Sequence, residues 1–403
     1  MSREDWQRSV LRDLGAANAP SGDARTGAVD ASRGPAAPSV GDAADTSPVS
    51  PPPQPSSAGV AHPDTSSAAA TQPRRATDRS VAEGTGAAAY PSRALLPPPE
   101  SLPVIRPELA AAGGRPRRGD SVAHRSLRAL RGLVGSSVAR AVAEETRVAR
   151  ELQQPVTTGR QIVVSSIRGG AGKTTVTALL SLVYNHYRHD PVLTLEADAA
   201  LGTLPARLGA TSVRWSCAEL AQIVVPSMQI TDVTGYLVPL PEGGWLLPGG
   251  QGRVGSRVDI PTYRAVMVAL RRYFGVTVVD CETLPGEVAR TALDTAHARV
   301  LVTPATVEGV ASTRAVLDWL ATLPRAAAGR TVVVLTATSP HTSIDVKAAA
   351  EYLQGTGATA LTLPYDRHLA AGGTVSTRLL ATGTRRAATR LAAEVLGRAV
   401  AAR

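Results

Sequence analysis

Residues 161–180 read QIVVSSIRGGAGKTTVTALL, and the reading of this stretch places the rest of the chain. Ile162 to Ser166 is a short run rich in β-branched residues, suited to a buried strand. From Thr174 onward, Val176, Leu179, Leu180, Leu182 and Val183 fall at helical spacing. Between strand and helix lie Gly169, Gly170, Ala171, Gly172, Lys173 and Thr174. A strand that stops in small residues and restarts as a helix aims several backbone N–H groups at one spot, where the helix dipole adds about half a positive charge. That spot suits a polyphosphate. Glycines let the main chain bend around phosphate without a Cβ clash, Lys173 reaches the terminal phosphates, the Thr174 hydroxyl can ligate magnesium, and Thr175 completes the set. Of the 43 Lys and Arg residues only Lys173 and Lys347 are lysine, so a chain that almost never uses lysine has one where this chemistry asks for it.

The common P-loop, GxxxxGK followed by Ser or Thr, would need glycine where this chain has Ile167. The spacing instead resembles the deviant Walker A box, KGGxGKT followed by Thr or Ser, of the MinD/ParA family of dimeric ATPases, with Arg168 in place of the signature lysine. That resemblance implies an α/β fold with a doubly wound, mostly parallel sheet, with ATP and Mg2+ as cofactors. It also implies an ATP-dependent homodimer, with Arg168 reaching across to the partner's nucleotide as a planar fork rather than a point charge.

Two acidic strand ends extend the resemblance. PVLTLEADAALG, from Pro191 to Gly202, predicts a buried strand over Val192 to Leu195 and is similar to the family's VLLIDADxGL. Asp198 falls on the acid that orients the attacking water and contacts magnesium's shell, and Glu196 replaces the first acid. YFGVTVVDCETLPG, from Tyr273 to Gly286, resembles FDxIVVDxPxG: Val276 to Val279 form the strand, Asp280 holds magnesium through water opposite Thr174, and Glu282 to Gly286 form a second switch. The catalytic set implied is Lys173, Asp198 and Arg168, and the metal set is Thr174, Asp280 and Asp198. LTLPYDRHLA, from Leu361 to Ala370, resembles a late IPYD segment lining the base, which adds Pro364 and Asp366 to the nucleotide-binding residues. Thr336 and Ala337 stand where the family often offers an asparagine to adenine. The lysine and aspartate of related GTPases are missing there, so ATP is preferred over GTP.

The alternation continues with a strand at Arg299 to Thr303, a helix at Glu308 to Leu323, a strand at Thr331 to Thr336 and a helix at Ser343 to Leu353. Tyr236 to Val238 and Trp245 to Leu247, around Glu242 to Gly244, read as a hairpin or two short strands. Arg385 to Arg403 reads as the closing helix, with Leu391, Val395, Leu396 and Val400 on one side.

Composition divides the 403 residues into three parts. Residues 1–118 are rich in Ala, Pro, Ser, Gly and Thr and lack periodic apolar spacing, so they are expected to be a disordered arm. Within it DWQRSVLRDL, from Asp5 to Leu14, has Trp6, Val10, Leu11 and Leu14 at helical spacing, a docking motif for a protein partner or a chance cluster. Residues 119–158 form a basic helical linker, and residues 159–403 the ATPase domain. RPRRGDSVAHRSLRALR, from Arg115 to Arg131, has six arginines against one acid and leads into the linker helix, either a packed and solvated helix or a lipid or nucleic-acid contact.

Net charge is +10, yet residues 1–118 carry 13 basic and 12 acidic side chains, so the excess lies in the rest. This permits nucleic acid or anionic lipid without demanding either. Cys217 and Cys281 are too few for a disulfide framework and are not spaced as a zinc pair. Their positions do not match those that bridge an iron–sulfur cluster in the nitrogenase-reductase branch. MSREDWQRSV has no apolar leader core and nowhere do 18 apolar residues run together, so a cytoplasmic location is expected, with recruitment to a membrane complex open.

The arm, the basic linker, the RGGAGKTT loop and LPYDRHLA together resemble the actinobacterial ATPases associated with type VII (ESX) secretion, of the EspI kind. The favoured reading is a slow, dimeric ATP switch on a secretion machine. The alternatives are a ParA-like partitioning ATPase that coats DNA and a non-hydrolysing nucleotide-binding scaffold.

Overall fold

The computed structural model describes residues 98–403 apart from 113, 115, 121–137, 201, 253–254, 322–327 and 403. The expected docking motif at residues 5–14, nearly all of the expected arm and most of the arginine-rich segment lie outside the described residues. The strands are β1 (Arg160–Ser166), β2 (Val192–Glu196), β3 (Val238–Pro239), β4 (Trp245–Leu247), β5 (Val276–Asp280), β6 (Ala298–Pro304), β7 (Thr331–Thr336) and β8 (Thr359–Leu363). They form one sheet in the order β8-β7-β6-β1-β5-β2-β4-β3, parallel throughout except for the antiparallel β3–β4 pair. The sheet is the doubly wound, mostly parallel one expected, and the β3–β4 pair is the expected hairpin, turning through Gly243 and Gly244 at φ 94° and 77°.

The helices are α1 (Val138–Leu152), α2 (Lys173–Tyr187), α3 (Leu204–Arg207), α4 (Cys217–Ile223), α5 (Ile260–Leu270), α6 (Glu287–Thr295), α7 (Val307–Ala321), α8 (Val346–Gln354), α9 (Arg367–Ala370) and α10 (Thr382–Ala401), besides short turns at Pro107–Ala111 and Ile230–Thr234. Two starts differ from expectation for local reasons. α8 begins at Val346 because the Asp345 carboxylate accepts from the Lys347 and Ala348 amides as its N-cap. α10 begins one turn before Arg385, where the apolar period has not yet started.

Both faces of the sheet are covered, which is why its strands read as unbroken apolar runs. Ile162 and Val164 of β1 point into a cluster with Leu179, Leu391 and Leu396, under α1, α2 and α10. Val163 points the other way, to Leu220, Val266, Phe274 and Val279 under α4 and α5. A third cluster, with Leu301, Leu317 and Leu353, seats α7 and α8. The Tyr184 hydroxyl donates to the Ala392 carbonyl at 2.9 Å, tying α2 to α10. Leu391, Val395 and Leu396 are thus core, so α10 closes the fold as expected. Among the described residues no helix is long and apolar enough to cross a membrane.

Leu102–Pro103, inside the stretch expected to be arm, pairs antiparallel with Ser212–Val213, and Val104 packs on the first cluster. One strand's worth of apolar residues was too short to register as a period. The two cysteines are buried and free, Cys281 filling the core as a small apolar residue. Trp245 packs edge-on against Phe274 with ring centroids 6.0 Å apart, and Trp215 against Tyr236 at 5.0 Å.

The chain leaves β1 for β2 on one side of the sheet and later grows outward on the other through β6, β7 and β8. The carboxyl end of β1 therefore sits where strand order reverses, the place where open parallel sheets bind ligands. Register brings Val164 beside Asp280, Glu196 beside Asp280 and Ser166 beside Val302, so the two acidic strand ends lie side by side on one side of the glycine loop, with β6 on the other.

Candidate functional site

The loop between β1 and α2 is bent by glycine. Gly170 and Gly172 have φ of 75° and 89°, a region that side chains with a Cβ rarely adopt. A Cβ built on Gly169 or Gly170 would meet nothing within 4 Å, so the main chain there faces open space that a ligand can enter. Beneath it the loop is tied down. The Ser166 hydroxyl donates to the Arg168 carbonyl at 3.0 Å, the Thr336 hydroxyl to the Ala171 carbonyl at 2.7 Å, and the Leu284 amide to the Ser166 carbonyl at 2.8 Å.

Lys173 opens α2, and its ammonium lies 3.0 Å from Asp198 Oδ2 and 3.9 Å from Asp280 Oδ1. Burial works against its charge, but the Asp280 and Asp198 carboxylates outweigh that and lift its pKa above the ordinary lysine value. Asp280 is fully buried. Its pKa is pushed up to about 6 by burial, against the opposing pull of Lys173 and of the Thr174 and Thr177 hydroxyls. Its Oδ1 accepts from the Thr177 hydroxyl at 3.1 Å, while its Oδ2 has no hydrogen-bond partner. A dry carboxylate with one idle oxygen, close to the hydroxyl of Thr174, fits a hard divalent cation. Among the described residues no group of three or more His, Cys, Asp or Glu could cage a metal by itself.

Glu196 does not share the open cluster. Its carboxylate is 2% exposed and accepts from the Leu204 and Gly249 amides, each at 3.2 Å. Burial pushes its pKa up to about 8 against those two amides, and the neighbouring Asp280 and Asp198 charges add to the rise. A Cβ on Gly202 would come within 2.1 Å of Glu196 Oε1 and 2.4 Å of the Asp198 carbonyl oxygen, so Gly202 packs tightly against this acid and the Asp198 backbone.

The other expected site residues lie at varied distances from the cluster. Arg168 is exposed and its guanidinium contacts the Ser312 hydroxyl of α7 at 3.4 Å, outside the Lys173–Asp198–Asp280 group. Thr175 accepts from Arg207 at 2.8 Å. Pro364 is half-buried at the end of β8. Asp366 turns inward: Oδ1 accepts from the His368 and Leu369 amides and Oδ2 from the Ala381 amide at 2.8 Å, so both oxygens hold backbone. Two participants, Thr177 and Arg207, were missed from the sequence, and Thr336, expected beside the base, instead ties down the loop. Thr177 stands one helical turn after Lys173 and could have been found from that spacing. Thr336 and Arg207 reach the loop only through tertiary contacts.

No family model matches the chain. It is 27% identical over 228 residues to the ESX-1 secretion-associated protein EspI of two Mycobacterium tuberculosis strains, an alignment covering 55% of this chain and 34% of each relative. The chain therefore spans about a third of the length of those curated relatives. Among solved structures it is similar to a ParA family ATPase from Chlorobium tepidum, with TM-score 0.49, 13% identity, and 58% of this chain and 98% of that one covered. The septum site-determining protein MinD of Pyrococcus horikoshii, complexed with Mg-ADP, gives TM-score 0.44 and 22% identity over 58% and 94% of the two chains. The cell division ATPase MinD of Pyrococcus furiosus gives 0.45 and 22% over 59% and 98%. In sequence the chain is similar to EspI, and in structure its neighbours are P-loop ATPases of the MinD and ParA kind.

Proposed function

We propose that this protein binds ATP with magnesium, hydrolyses it slowly, and uses the cycle as a dimeric switch acting on a type VII-like secretion machine. The observation that carries the reading is the single ammonium of Lys173, set at the mouth of an open glycine loop between two carboxylates, one of them dry and half-satisfied. The loop amides from Gly169 to Thr175 and the α2 dipole hold the phosphate chain, and Lys173 exchanges its carboxylate contacts for the terminal phosphates. Thr174 and Asp280, with Asp198 beside them, would hold magnesium, which supplies charge neutralisation on the phosphates. Asp198, on a loop clamped by Glu196, places the attacking water. No residue here is set up as a strong general base, which suits slow turnover.

Arg168 is exposed, and on dimerisation it would exchange its long contact with Ser312 for a second subunit's nucleotide. Pro364, and the turn that Asp366 holds in place, form the base-side wall. Residues 1–118, apart from the Leu102–Pro103 strand that pairs with Ser212–Val213, serve as an arm whose segment at residues 5–14 docks a protein partner, residues 119–158 are a linker whose helix α1 packs on the core, and residues 159–403 are the ATPase domain. The protein acts in the cytoplasm and is recruited to its machine. Similarity to EspI over 55% of the chain supports the secretion assignment.

The test is calorimetry of the full chain with ATP and magnesium, followed by sizing with and without ATP. Absence of any binding heat overturns the reading at its root, and binding without ATP-dependent dimerisation overturns the switch. ATP-dependent retention on DNA that weakens steeply with salt would instead favour partitioning.

A further inference from the structure

Arg207 ends α3 and is 8% exposed. Its guanidinium donates through Nη1 to the Gly373 carbonyl at 3.0 Å and through Nη2 to the Thr175 hydroxyl at 2.8 Å and the Leu369 carbonyl at 3.3 Å. All three acceptors are neutral, and among the described residues no carboxylate lies within ion-pair distance of it. Burial alone acts on it, pushing its pKa below the ordinary arginine value. The backbone around it joins the same two segments. The Val375 amide donates to the Arg207 carbonyl at 2.8 Å and the Thr374 hydroxyl to the Ala206 carbonyl at 3.2 Å, while a Cβ on Gly209 would come within 2.8 Å of Thr374 Cγ2.

A buried guanidinium without a counter-charge is costly to keep. This one is bonded to the first turn of α2, which already carries the Lys173 ammonium and the positive end of the helix dipole. Asp198 and Asp280 offset Lys173, whereas among the described residues Arg207 has only neutral acceptors, so an anion at this turn would be its counter-charge. We propose that Arg207 is a second cation of the nucleotide site: its counter-charge is the phosphate chain of a nucleoside di- or triphosphate, and it straps the Leu369–Val375 segment to the glycine cradle. The inference rests on the nucleotide-binding reading above and deepens it, by naming a residue that local sequence did not mark.

The experiment is calorimetric titration of the full chain with ADP, without metal, at three salt concentrations, comparing wild type with Arg207→Lys and Arg207→Gln after each variant is shown to melt cooperatively. Lys keeps the charge and loses the fork, whereas Gln keeps an amide donor and loses the charge. Expected is a loss of about tenfold or more in ADP affinity for Arg207→Gln with a shallower salt dependence, and a loss of no more than about threefold for Arg207→Lys with the wild-type slope. Equal losses in both variants with unchanged slopes would make Arg207 a strap only and overturn the proposal, as would wild-type affinity in Arg207→Gln. If Arg207→Gln fails to fold, the Arg207→Lys result decides: affinity and slope near wild type support the charge, and a large loss at an unchanged slope overturns it. Wild type that takes up no ADP or ATP at all would instead sink the nucleotide reading itself, and this inference with it.

Discussion

Replacing Glu196 by Gln should remove a pH dependence of stability that the fold builds in. The Glu196 carboxyl is 2% exposed, and its pKa is raised from 4.5 to about 8. A raised acid binds its proton more tightly in the folded chain than in the unfolded one. Its stabilising contribution is therefore fully present below pH 4.5 and is lost as pH rises through about 8. Integrating over that window, wild type should lose about 3.5 kcal/mol from this group between pH 5 and pH 8.

Gln cannot ionise, so its curve lacks this component. It brings a pH-independent penalty instead, because one amide, of Leu204 or Gly249, then faces an NH2 group, at about 1–3 kcal/mol. The slope, not the offset, is what decides. Asp280, raised by burial to about 6, tilts both proteins alike and cancels in the difference to first order. Urea unfolding at four pH values between 5 and 8, without nucleotide, measures the wild-type minus Glu196→Gln difference. A difference that stays flat within about 0.5 kcal/mol, or that grows with pH in favour of wild type, would refute a neutral, amide-clamped Glu196.

Lys173→Ala should weaken ATP binding about 100-fold or more by calorimetry and leave hydrolysis at background by phosphate release. It should also destabilise the nucleotide-free protein more at pH 8 than at pH 5.5, because at the lower pH Asp280 takes a proton and no longer needs the ammonium, a contrast that paired melts detect. Asp280→Asn should fold at least as well as wild type above pH 6, since it removes a raised buried acid, while magnesium should no longer tighten ATP binding. The readout is ATP affinity with and without the ion. Thr336→Val, which removes the hydroxyl under the Ala171 carbonyl, should cost about 1 kcal/mol in stability and weaken ADP about fivefold, by melts and calorimetry respectively.

Much of the fold was legible before any coordinates. Because both faces of the sheet are covered, its strands had to be unbroken apolar runs, and VTVVD, TVVVLT and VLTLE could be read directly. The glycine turn, Lys173 and the acids at the strand ends were legible because a strand, a turn and a helix are local, and phosphate chemistry constrains residue type there. Element limits were less so: α8 starts where an aspartate caps it, and Leu102–Pro103 is too short to show a period.

By itself the sequence determined the kind of sheet, the place of the loop along it and the residues that could meet a phosphate, since these follow from periodicity and from atoms a few positions apart. Tertiary structure alone decided that Asp280 is dry with one idle oxygen, that Glu196 turns away to hold two backbone amides, that Asp366 caps a helix, and that Arg207 comes to Thr175 across 32 positions of chain. The reason is physical: burial and the identity of a hydrogen-bond partner are set by which distant segments pack together, and a side chain's charge and aim depend on those neighbours more than on its own type.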